Sequence, residues 1–192
     1  MWKQDQQWEG RWWNTCQNTF YEEQKQFVYA EKMGLKRVPN EKTPYRFDLR
    51  GKKVLDIGCG PISLLLKCDN VEGTAIDPLK FPNWVAKRYK TAGIKYKQVK
   101  GEEIEERGYD EILIYNVLQH TENPQKIIEN AKKAGKLIRI FEWIDLPVCE
   151  GHPQTLTELK LNKWLGGEGK VEILNDRGCR GKAYYGIFQT NL

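Results

Sequence analysis

Short apolar runs alternate with amphipathic stretches through the middle of the chain. Val54–Ile57 predicts a strand, Ile62–Cys68 a helical run, and Glu72–Ile76 a second strand ending against Asp77. Pro82–Ala92 reads as a helix stopped by Gly93, followed by strands at Lys95–Val99 and Tyr109–Tyr115. Asn123 before Pro124 predicts an N-cap with proline at the first helical position, for a helix Pro124–Ala134 ended by Gly135. Lys136–Trp143 is then a strongly apolar strand. Strands alternating with helices of about ten residues imply a parallel sheet covered by helices on both faces.

The last third breaks that rhythm. Thr155–Leu165 predicts a helix closed by Gly166-Gly167, and Val171–Leu174 and Ala183–Thr190 predict two strands. Their connector, Asn175–Lys182, is too short for a crossover helix, so the pair is expected to be antiparallel. The first 50 residues are rich in aromatic and Gln/Glu residues, with one amphipathic helix predicted at Thr19–Met33 and Gly34 just past its end. Lys36–Arg50, with Pro39 and Pro44, reads as a linker. The expected organisation is a helical, aromatic cap over residues 1–50, not an independent domain, on a core over residues 51–192.

Composition narrows the class without naming a partner. A chain of 192 residues, 40% hydrophobic and 30% charged, is ordinary for one globular domain. The net charge of +5 permits an anionic partner without demanding one. The five cysteines contain no CxxC pair, which argues against a disulfide framework and a structural zinc site, and no metal is expected. No apolar stretch resembles a signal peptide or a membrane span, so a cytoplasmic protein is expected.

The chemistry concentrates at Val54-Leu55-Asp56-Ile57-Gly58-Cys59-Gly60-Pro61. A strand that turns sharply into a helix leaves backbone N–H groups at the helix start where a ligand can bind, and glycine keeps that approach open. Asp77 follows Asp56 by 21 residues. An acid at about that distance from a glycine-rich turn can accept hydrogen bonds from ribose hydroxyls.

These residues resemble class I S-adenosylmethionine-dependent methyltransferases. Val54–Pro61 is similar to the family's first motif, Ala75-Ile76-Asp77 to its second, and Tyr109–His120 to its fourth strand and following loop, over about residues 50–190. The resemblance implies a Rossmann-like α/β fold: a seven-stranded, mostly parallel sheet, helices on both faces, the last strand antiparallel, and a helical cap. It implies S-adenosylmethionine as cofactor, with S-adenosylhomocysteine as product. Gly58, Cys59 and Gly60 would lie against the methionine part and Asp56 near its amino group. Asp77 and Pro78 would meet the ribose, Glu102 or Glu103 the adenine amino group, and Asn116 and Val117 would line the floor below the sulfonium. The family's third glycine is replaced by Ile62. A nicotinamide or flavin dinucleotide is the rival for such a turn, but Ser63 stands where its third glycine belongs, and Asp56 would crowd a pyrophosphate.

Beyond the cofactor, His120 and His152 are the candidate catalytic bases, each with a structural alternative. Trp12, Trp13, Tyr21 and Tyr29 are candidates for the substrate mouth, as a water-excluding lid or as packing. The expected activity is methyl transfer to an O or N atom of a small molecule. The alternatives are an RNA acceptor or a non-catalytic binding protein.

Overall fold

The computed structural model describes residues 2–14, 16–38 and 45–190. Helices α1 (Trp2–Trp13) and α2 (Cys16–Lys32) precede strands β1 (Phe47–Ile57) and β2 (Cys68–Ile76). Helix α3 (Asn83–Thr91), β3 (Lys95–Lys97), β4 (Glu111–Tyr115), α4 (Pro124–Ala134) and β5 (Leu137–Trp143) follow. Helix α5 (Glu158–Leu165), β6 (Lys170–Asp176) and β7 (Cys179–Gln189) complete the order. The strands form one sheet in the order β3-β2-β1-β4-β5-β7-β6. All neighbours pair in parallel except β7, which runs against both β5 and β6.

Alternation along the strands splits the core into two layers. Val54, Ala75, Leu113 and Phe141 pack with Val28 and Tyr29 of α2, Met33 just past its end, and Val85 and Tyr89 of α3. Leu55, Ile76, Ile112 and Ile138 pack on the other side with Ile127, Ile128 and Ala131 of α4 and Leu161 of α5. Period-two side-chain direction delivers each set to its own face. The α4 boundaries match the sequence expectation: Asn123 Oδ1 accepts the Lys126 N–H at 3.0 Å. Gly166, at φ 79°, ends α5 in the left-handed region.

Four expectations are corrected. Ile62–Cys68 is not an α-helix: a 3₁₀ turn at Leu64–Lys67 suffices, and Cys68 already begins β2. The layer that a crossover helix would fill is occupied by α2, whose Gln26 Nε2 donates to Ile62 O at 2.6 Å. Strand β1 starts at Phe47, inside the predicted linker, because a bulge at Arg50-Gly51 (both at positive φ) hides its period. Residues 39–44 of that linker lie outside the described residues. The β6–β7 connector shrinks to a tight turn at Arg177-Gly178, both at positive φ, as a two-residue hairpin of right-handed twist requires. Finally, α1 was not anticipated, because its polar composition conceals a helical face.

Arg139 ties the end of the cap to the sheet. Arg139 Nη1 donates to Met33 O at the end of α2 (2.7 Å), while its Nε meets the buried Glu111 carboxylate at 2.6 Å. Lys52 pairs with the same carboxylate.

Candidate functional site

The carboxyl ends of β1, β2, β4 and β5 open on a cavity of about 440 Å³. Its floor is the turn after β1 (Gly58, Gly60), the segment after β2 (Asp77, Pro78, Leu79) and the end of β4 (Asn116, Val117). Its roof is α1, which contributes Trp8, Glu9, Trp12 and Trp13. His120, His152 and Trp143 form further wall, with Lys25 and Arg180 also on the lining. Open parallel sheets bind ligands at this edge.

The glycine turn is held from inside. Ile76 O accepts the N–H groups of Gly58 (2.9 Å) and Cys59 (3.0 Å). Asp77 Oδ2 accepts the Gly60 N–H at 2.9 Å, and Oδ1 accepts that of Leu79 at 2.9 Å. Behind the turn the Ser63 N–H goes to Tyr89 Oη and that of Leu64 to Tyr115 Oη, both at 2.9 Å. The N–H groups of Gly58, Cys59 and Gly60 are therefore used, and the turn meets the cavity with the Asp77 carboxylate beside it. That surface suits positive charge.

Gly58 has φ +70°, and a Cβ built there would lie 2.5 Å from Val117 Cγ2. The left-handed backbone costs an alanine about 1–2 kcal/mol, and the overlap with a packed side chain adds to that. Gly58→Ala is expected to destabilise the fold by about 2–4 kcal/mol, roughly 10 °C in melting temperature for a domain of this size. A melting scan showing no loss would place the Val117 contact elsewhere.

Two buried carboxyls flank the turn and a third supports the loop after β4. Burial pushes Asp77 up to about 6, against the pull of its two backbone N–H donors. Asp56, fully enclosed, is pushed up to about 7 by burial, although Ser63 and Tyr115 both donate to its Oδ2. Glu142 on β5 is pushed up to about 7 by burial while accepting the Val117 and Leu118 N–H groups at 3.0 and 3.1 Å. Those bonds fix the loop after β4, where Asn116 sits at φ 55°.

The sequence candidates divide by place. Gly58, Gly60, Asp77, Pro78, Asn116, Val117, His120, His152, Trp12 and Trp13 meet at the one cavity. Asp56 and Cys59 lie buried behind the turn. Glu102 accepts the Asn123 N–H at 3.1 Å, and Glu103 lines a separate cavity beside Ile104 and Tyr109. Tyr29 is core, its ring 4.4 Å from that of Phe141, and Tyr21 packs edge-on to Phe20 at the surface. Trp8, Glu9 and Trp143 line the cavity without having been candidates. Asp5, Trp8, Glu9 and Trp12 follow the i, i+3, i+4, i+7 spacing of one helix face, a signal readable once polar residues count toward it.

The two histidines meet at the cap. Their ring centroids are 4.6 Å apart, and Trp8 stacks on Trp12 at 5.4 Å with its edge toward His152. His120 Nδ1 lies 2.7 Å from Gly151 O and 2.8 Å from Glu9 Oε1. The Gly151 N–H is accepted by Asp5 Oδ1 at 3.1 Å.

No protein-family model matches the sequence, and no curated protein does. Solved structures do match. A SAM-dependent methyltransferase from Aquifex aeolicus is 18% identical over 84% of this chain and 88% of its own, with a TM-score of 0.56. The 1,6-didemethyltoxoflavin-N1-methyltransferase of Burkholderia thailandensis, solved with 1,6-didemethyltoxoflavin and S-adenosylhomocysteine, is 16% identical over 73% of this chain and 72% of its own (TM-score 0.56). A chain from the complex between the Haloferax volcanii Trm112 methyltransferase activator and the putative methyltransferase is 9% identical over 94% of this chain and 96% of its own (TM-score 0.66). The chain has the fold of the class I S-adenosylmethionine-dependent methyltransferases.

Proposed function

We propose that this protein is an S-adenosylmethionine-dependent methyltransferase acting on an O or N atom of a small molecule. The observation that carries the reading is the glycine turn whose N–H donors are already used and whose cavity side carries the Asp77 carboxylate. A diphosphate needs free donors there, whereas a cofactor with an ammonium, a sulfonium and ribose hydroxyls needs acceptors. The residues fit that group. Gly58 and Gly60 leave room for its methionine part, Asp77 is placed to accept from the ribose hydroxyls beside Pro78, and Asn116 and Val117 floor the reacting end.

Held by these residues, S-adenosylmethionine would supply an activated methyl on cationic sulfur to the acceptor's lone pair, leaving the acceptor's proton for a base of this chain. The tryptophans of α1 exclude water and offer flat apolar surface to a planar acceptor. His120 is the residue placed to receive the proton. The roofed cavity favours a small acceptor over an RNA strand, and the Burkholderia thailandensis neighbour acts on a molecule of that kind.

Calorimetric titration with S-adenosylhomocysteine and with NADH, followed by a methyl-transfer screen over O and N acceptors, tests the proposal. Binding of NADH in place of S-adenosylhomocysteine would overturn it, and tight binding with no transfer to any acceptor would favour a non-catalytic binding protein. Because Asp77 accepts best when ionised, affinity for S-adenosylhomocysteine is expected to be flat above pH 6 and to fall toward about tenfold per pH unit below it. A flat profile down to pH 5 would remove Asp77 from the ribose.

A further inference from the structure

We propose that Glu9 is the positioning residue for His120: it holds the imidazole with Nδ1 turned to the cap helix, leaving Nε2 to take the acceptor's proton. The inference rests on the methyl-transfer reading above. In the step concerned, the acceptor's O–H or N–H bond breaks, its proton bonds to His120 Nε2, and its electron pair serves the new bond to the methyl carbon.

The geometry assigns the two ring nitrogens. Nδ1 faces a carbonyl oxygen, Gly151 O, and a carboxylate oxygen, Glu9 Oε1, and neither of these donates. Nδ1 therefore carries the proton of the neutral ring, and the basic lone pair is on Nε2. Glu9 Oε1 is buried with no hydrogen-bond partner among the described residues, so it meets Nδ1 as an unpaired charge at ion-pair distance while Gly151 O lies on the same nitrogen. On the other edge, Nε2 lies 3.2 Å from Gln119 Nε2, which also donates to Asn116 Oδ1 at 2.9 Å. Gln119 Oε1 is buried without a partner. When Nε2 gains a proton, a half-turn of that amide, with the Asn116 amide turning to donate in its place, presents Oε1 to the new N–H, so both charge states of the ring find a partner. His120, Gln119 and Asn116 all line the cavity.

The surrounding charges point the same way. Burial alone disfavours the imidazolium, but Glu9, the Gly151 carbonyl and Glu142 outweigh it, and His120 is raised above its ordinary value. Asp5 on α1 and Asp77 after β2 add negative charge nearby. The opposing neighbour is His152, which burial and then the His120 charge hold below the ordinary histidine value. A base thus paired keeps the proton it removes.

Glu9 also couples this base to closure of the cavity. Helix α1 is seated by Trp13 against Gly60, Trp8 against Gly151 and Asp5 on the Gly151 N–H. Only with α1 seated does Glu9 reach His120, so orientation of the base and exclusion of water occur together.

The chain has two histidines, so ¹⁵N-imidazole NMR reads each, with His152→Asn for assignment. Spectra from pH 5 to 9, with and without S-adenosylhomocysteine, are expected to show the Nδ1–H tautomer for His120 and a midpoint above 6.5. Glu9→Gln is expected to lower that midpoint by about one unit or more, and Glu9→Asp to restore part of it. Once an acceptor is identified, the acid limb of kcat should move with the midpoint while cofactor affinity stays within about twofold. An unchanged midpoint in a folded Glu9→Gln variant that binds S-adenosylhomocysteine, or an Nε2–H tautomer in the parent protein, overturns the inference. If Glu9→Gln fails to fold, an Asp variant that leaves the midpoint at the parent value supports a carboxylate requirement, and one at the ordinary histidine value overturns it. Failure of the parent protein to bind S-adenosylhomocysteine would instead remove the methyl-transfer reading beneath it.

Discussion

Asp77→Ala is expected to weaken S-adenosylhomocysteine binding by about 100-fold or more, the largest loss of affinity from any single side chain of the site. Hydrogen bonds to an ionised acceptor contribute about 1.5–3 kcal/mol each, and two ribose hydroxyls would be released together. At about 1.4 kcal/mol per tenfold, that alone exceeds two orders of magnitude. The same carboxylate holds the Gly60 and Leu79 N–H groups, so the alanine also leaves two enclosed donors unpaired and loosens the turn. Asp77→Asn separates the effects. It keeps the volume and one of the two acceptors, so one backbone N–H stays paired while the other faces the amide NH2; the turn should loosen less than in the alanine, the affinity should fall by about tenfold, and the dependence on pH near 6 should vanish. Calorimetry on both variants, with circular dichroism to confirm the fold, makes the comparison. Binding within threefold of the parent protein in Asp77→Ala would show that the ribose is held elsewhere.

The parts of the fold that could be read from the chain are those where local chemistry and tertiary demand agree. Helix α4 begins and ends where Asn123, Pro124 and Gly135 put it, because cap, first-turn proline and stop are all local. The apolar runs at Ile112-Leu113-Ile114 and Lys136–Trp143 mark β4 and β5, because strands buried on both faces need apolar side chains in both directions. Where local pattern misled, a long-range contact had replaced it. Ile62–Cys68 has helical composition, but α2 fills the layer that helix would occupy, and β2 must start at Cys68 to pair with Phe47.

The site divides along the same line. The floor is built from short motifs: Gly58, Gly60 and Asp77 stand out by spacing, and Asn116 and Val117 follow from the resemblance of the fourth strand and its loop to the family's. The roof is assembled by docking, and a docking surface leaves no spacing rule behind. The sequence around His120 shows no orienting partner for it, because Glu9 lies on a distant helix whose polar residues turn inward. Tyr29 shows the converse, an aromatic of the cap that belongs to the core between Phe141 and Trp143. Helix α1 thus carries what distinguishes this chain from a bare parallel sheet edge: the tryptophans that roof the cavity and the charge beside the histidine.

Asp56→Asn is expected to stabilise the protein above pH 7 and to flatten its stability between pH 4 and pH 7. The carboxyl lies at about 7 in the folded protein, with burial as the chief cause, and near 3.8 when unfolded. Between those values the folded chain holds a proton that the unfolded chain has released, so raising the pH favours unfolding across that interval. The difference is worth about 4 kcal/mol at most, and it is fully present only below pH 4. Above pH 7 the folded state carries an enclosed carboxylate whose Oδ1 has no donor among the described residues. Asparagine keeps an acceptor for the Ser63 and Tyr115 hydroxyls and has no charge to desolvate. Glu142, also at about 7, contributes a parallel loss that the Asn variant retains, so the slope should be reduced rather than abolished. Chemical denaturation at pH 5, 6, 7 and 8 measures it: the variant should gain on the parent protein at each step upward. A variant less stable at pH 8 by the same margin as at pH 5 would mean that Asp56 is paired and ionised in the fold, and that its role behind the turn is that of a charge.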